Sequence, residues 1–151
     1  METMILERFT LASGILTESV RSEAFVHVGD DRRVKRTVEA LRRLMVVREQ
    51  DQGIAFDHKM LTRAESIIAV FCKRTEGYDD YIVKAGLGAG DELTVILTKM
   101  DYQREISVDF SPDSSNYFVF KTESPLTTET EIHSLNQLSE FVDWVFGKNG
   151  D

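Results

Sequence analysis

One nine-residue alternation limits what this chain can fold into more than any other stretch. Tyr102, Arg104, Ile106, Val108 and Phe110 alternate with Gln103, Glu105, Ser107 and Asp109, the period-two pattern of a strand with one dry and one wet face. Residues 93–100 and 117–121 flank it as further strand candidates, and the Ser-Pro-Asp-Ser-Ser-Asn stretch at 111–116 supplies turn chemistry between the second and third. A three-stranded antiparallel meander is expected. Residues 81–84 and 127–132 offer two more short strands.

A small sheet needs a cover for its apolar face. At the end of the chain, Leu135, Leu138, Phe141, Val142 and Val145 fall on one helical face, with Ser134 as N-cap, Gln137 completing a capping box and Gly147 at the C-terminal cap. Trp144 lies off that stripe and borders the packing interface. Over residues 32–48 the period is again helical. Val34, Val38, Leu41 and Met45 share one face with Leu44 beside them, and Arg32, Lys35, Arg36, Arg42 and Arg43 share the opposite one, interrupted by Glu39. Gly29-Asp30-Asp31 breaks the chain before this helix and residues 50–53 end it.

Met60, Leu61, Ala64, Ile67, Ile68 and Phe71 mark another helix over residues 58–73, with Asp57 placed to cap it. Residues 67–72 are also β-branched and short enough for a buried strand, and the helix is favoured over that alternative. Residues 1–16 suggest a short helix, and residues 24–28 a brief strand or extended entry. The fold class is therefore α+β: an antiparallel meander of three to five strands covered on one face by amphipathic helices, the C-terminal helix among them, in a single globular domain over residues 1–151.

At 151 residues, with 42% hydrophobic and 29% charged side chains, the chain has the makeup of an ordinary globular protein with one core. Acidic residues stand where a secretory signal is basic, and the longest apolar run, residues 67–72, is too short to span a bilayer. A cytoplasmic protein without membrane contact is expected, and the single cysteine fits a reducing compartment. The net charge of -8 is unevenly spread. Residues 91–151 hold twelve Asp or Glu against four Lys or Arg, while residues 1–90 hold fourteen of each. A field of that sign repels nucleic acid and suits a basic partner.

Motifs that carry chemistry are missing. Gly86-Leu87-Gly88-Ala89-Gly90 has the glycine spacing of a phosphate loop, but Asp91-Glu92 and a strand follow it where such a loop needs a helix. His27, His58 and His133 are scattered, and Cys72 ends an apolar run, which favours a buried thiol over a nucleophile. The acidic pairs Asp79-Asp80 and Asp91-Glu92 sit beside glycines in expected loops. No catalytic residue, cofactor or metal ligand is assigned on these grounds.

What remains is recognition. The leading expectation is a small soluble non-enzymatic binding protein that regulates, escorts or neutralises a protein partner. Its candidate partner surfaces are Arg32, Lys35, Arg36, Arg42 and Arg43 on the basic helix and Glu105 and Asp109 on the wet face of the middle strand, with Glu129 and Glu131 extending the latter. A nucleic-acid-binding regulator using the basic helix is the first alternative, and an enzyme with dispersed catalytic residues the second. Homodimerisation is neither supported nor forbidden.

Overall fold

The computed structural model describes residues 31–101 and 103–147. The helix expected over residues 1–16, the extended entry at 24–28, the break at Gly29-Asp30 and the first strand residue, Tyr102, lie outside the described residues.

Helix α1, Asp31–Gln52, buries Leu41 and Met45 and half-buries Val34 and Val38 against the core. It runs on to Gly53, whose φ of 73° a side chain would resist. Helix α2, His58–Arg74, starts where Asp57 accepts from the backbone N–H groups of Lys59 at 2.8 Å and Met60 at 3.3 Å. Its buried side chains, Met60, Ala64, Ile67, Ile68, Phe71 and Cys72, follow a helical spacing. That spacing outweighs the β-branched character of residues 67–72, because only a helix puts all six on one face.

Five strands follow in chain order: β1, Tyr81–Leu87; β2, Leu93–Lys99; β3, Arg104–Phe110; β4, Tyr117–Glu123; and β5, Leu126–Ile132. They form one antiparallel sheet in the order β1-β2-β3-β4-β5. The register sets Val95 opposite Val108 and Leu97 opposite Ile106, and Val108 in turn opposite Val119. All five side chains are fully buried. Helix α3, Leu138–Val145, is entered through a 3-10 turn at Leu135–Gln137, with the capping box of Ser134 and Gln137 formed. Leu138, Val142 and Val145 are buried in the same core.

All three helices pack on one face of the sheet: α1 on β1 and α2, α2 on β1 and β2, and α3 on α2, β2 and β3. Arginines fix them there. Arg33 of α1, 2% exposed, donates to Tyr81 Oη, to Cys72 Sγ at 3.2 Å and to Thr75 Oγ1 at 3.3 Å. Arg63 of α2 donates to Ser111 O at 2.9 Å and Asn116 O at 3.3 Å, and its guanidinium lies over the Phe110 and Tyr117 rings. Arg104 of β3 donates to Trp144 O at 2.6 Å and covers the Trp144 ring. Each guanidinium ties a helix to the sheet, so charge that reads as surface in the sequence is partly internal.

Candidate functional site

The helices stop short of one edge. Side chains of β5 alternate between the two faces of the sheet, yet every residue of that strand except Ile132 is exposed, Leu126 to 72%. Among the described residues β5 pairs with β4 alone, so its outer backbone N–H and C=O groups face away from the sheet without a ladder partner. The hairpin that carries it turns at Ser124-Pro125 through a cis peptide bond.

The register defines what surrounds this edge. On the face away from the helices, Phe118 lies between Asp109 and Glu131, and Phe120 between Ser107 and Glu129. On the helix-side face the outer row is Leu126, Thr128 and Thr130. A strand added beside β5 therefore meets carboxylates on one side and threonine side chains with Leu126 on the other. Asn116 Nδ2 donates to Glu131 at 2.7 Å and fixes the position of that carboxylate.

Glu105 and Asp109 occupy the same face as Glu129 and Glu131 but nearer the middle of the sheet, and both are half-buried. Thr98 Oγ1 donates to Glu105 at 3.1 Å. Ile82, Thr94, Ile96 and Thr98 are all buried on that face, although no described helix packs there. The exposed part of the acidic surface is thus the strip along β5.

On α1 the five residues Arg32, Lys35, Arg36, Arg42 and Arg43 are all exposed, on the helical layer, the opposite side of the sheet from Glu105 and Asp109. Glu39 reaches two of them, Arg42 at 3.2 Å and Arg43 at 3.7 Å. The hydrogen bond from Arg42 holds the Glu39 carboxyl below its ordinary value, with added attraction from both guanidinia. The basic and acidic surfaces do not meet.

Two residues escape a reading by residue type. Arg33 and Arg48, both on α1, are buried to 2% and 4% exposure. Arg48 Nη1 donates to Gly90 O and Glu92 O, each at 3.0 Å. The glycine-rich turn therefore offers carbonyls to a cation, the reverse of a cradle of N–H groups for phosphate. The signal for Arg48 was angular: at 100° per residue it lies about 20° from Leu41, inside the buried arc.

Among the described residues no group of three or more His, Cys, Asp or Glu is arranged to hold a metal ion, and no helix is long and apolar enough to cross a membrane. No family model, curated protein or solved structure matches the chain.

Proposed function

We propose that this is a binding protein for a partner polypeptide, and that it takes an extended basic segment of that partner as a sixth strand along β5. The supporting observation is the exposure of residues 126–131 beside an outer edge that no described strand pairs. Main-chain hydrogen bonds would supply affinity in this mode, and alternate side chains the specificity.

Charge selects the occupant. Glu129 and Glu131 lie on the face where every second residue of an added strand would fall, which suits Lys or Arg. A second copy pairing β5 to β5 would bring these carboxylates together, so the same charges that invite a cationic segment oppose self-association. Along α1, the ion pairs of Arg42 and Arg43 with Glu39 offset part of the positive field that a nucleic acid would need.

The test uses two eight-residue peptides, one alternating Lys and Val and one alternating Glu and Val, titrated into the whole chain and followed by amide NMR. The Lys peptide is expected to bind, more weakly as salt rises, with new protection of β5 amides, and Glu129→Lys is expected to weaken it severalfold. Of two adjacent strand residues such as Thr128 and Glu129, one directs its N–H outward and the other to β4. Proline at the outward position should abolish binding and leave the fold intact. Equal binding of both peptides, or binding indifferent to both changes, would refute the proposal.

A further inference from the structure

A second feature, independent of the β5 edge, is a cleft lined by a buried arginine. The cleft, of about 490 Å³, lies between the α1–α2 connection and the turns at Asp91 and Pro112, within the size range of small-molecule sites. Arg48 lines it. Arg48 is 4% exposed, and its Nη1 protons are both committed to the carbonyls of Gly90 and Glu92. Nε is buried without any hydrogen-bond partner, and Nη2 bonds to none of the described residues.

Nε–H and the adjacent Nη2–H of an arginine project side by side, the fork that grips two oxygens of one oxyanion. Here Nη1 is held by two carbonyls, and no described residue takes the fork. An orphaned donor on a buried cation is costly to keep. Burial lowers the Arg48 pKa, with Asp91 opposing through space, yet Asp91 forms no ion pair with it.

We infer that this cleft binds a small monocarboxylate with an apolar body, the carboxylate taken by the Nε and Nη2 edge of Arg48 once a small turn of the guanidinium opens the buried Nε to the cleft. The apolar part follows from the walls, which include Ile54, Phe56, Met60 and Pro112. His58 packs edge-on against Phe56 at a centroid distance of 4.8 Å and supports that wall. Asp57 and Asp91 also line the cleft, and they repel a phosphate dianion more than a carboxylate monoanion. The N-terminus of α2 is not the anion site, because the Asp57 carboxylate already occupies it.

The probe is 3-phenylpropionate, titrated into the ¹⁵N-labelled chain beside its neutral amide, 3-phenylpropionamide, and phenyl phosphate. Saturable shifts are expected at residues 54–60 and 90–92, with the amide binding roughly tenfold more weakly or worse and the phosphate weaker than the carboxylate. Arg48→Lys keeps the charge without the fork and should also lose roughly tenfold. Asp91→Asn should tighten binding severalfold. The amide comparison is made on the unaltered chain, so it stands even if Arg48→Lys fails to fold. Absence of shifts at these residues, an amide as good as the acid, or a folded Arg48→Lys variant that binds unchanged would overturn the inference. Phenyl phosphate binding tighter than the carboxylate would overturn the ligand class.

Discussion

β1 and β5 are the two outer strands of one sheet, each seven residues long, and they live in opposite surroundings. In β1, Tyr81, Ile82, Val83 and Ala85 are at most 6% exposed, whereas six of the seven residues of β5 are exposed. The cause lies behind each edge. α1 and α2 both pack on β1, while α3 packs on β2 and β3 and meets β4 through Lys121, whose Nζ lies over the Trp144 ring. Both are strands because each completes a ladder with its neighbour, and only one is also core. Membership of a sheet follows from pairing, and burial follows from what the helices reach.

The sharpest way to separate the two regions is to truncate one side chain in each. Leu97 is fully buried between the covered strands and α2, so Leu97→Ala is expected to cost about 2–5 kcal/mol in chemical denaturation. A loss under about 1 kcal/mol would mean that the covered half is not the stability core. A smaller and pH-dependent effect is expected at Glu92, in the turn between β1 and β2. Its carboxyl is pushed above the ordinary value by burial and then by the charges of Asp109 and Asp91. The folded state thus binds that proton more tightly than the unfolded chain. Its favourable contribution is complete below the unfolded value and is lost as pH rises through the folded one. Glu92→Gln should therefore stabilise the protein at neutral pH, by a margin that shrinks to nothing under acid conditions in a pH series of denaturation curves. The smallest effect belongs to the bare edge: Thr130→Ala on β5 should change stability by about half a kcal/mol or less.

The covered half was largely legible in the sequence. Period-two alternation and the turn at 111–116 placed β2 to β4, and Ser134 with Gln137 placed the entry to α3, because those signals are local and physical causes act over a few residues. β5 was visible only as an extension: with Thr127, Glu129 and Glu131 on one face and Thr128 and Thr130 on the other, no alternation of polarity marks it. It exists through its ladder with β4. The arginines resisted for another reason. Arg48 is held by carbonyls 42 and 44 residues later in the chain, and Arg33 by Cys72, Thr75 and Tyr81. Residue type sends such side chains to solvent, and only the tertiary fold supplies the acceptors that keep them inside.

Because strand order in the sheet repeats strand order in the chain, each strand after β1 follows its ladder partner directly in the chain. Every loop closed along the meander is short, so the ordering entropy is met in small steps. β5 joins last of the strands, and α3 then seals the inner ladders over β2 and β3. A chain truncated after β4 would lack both, leaving the β4 edge and the sheet surface beneath α3 open to pairing and aggregation.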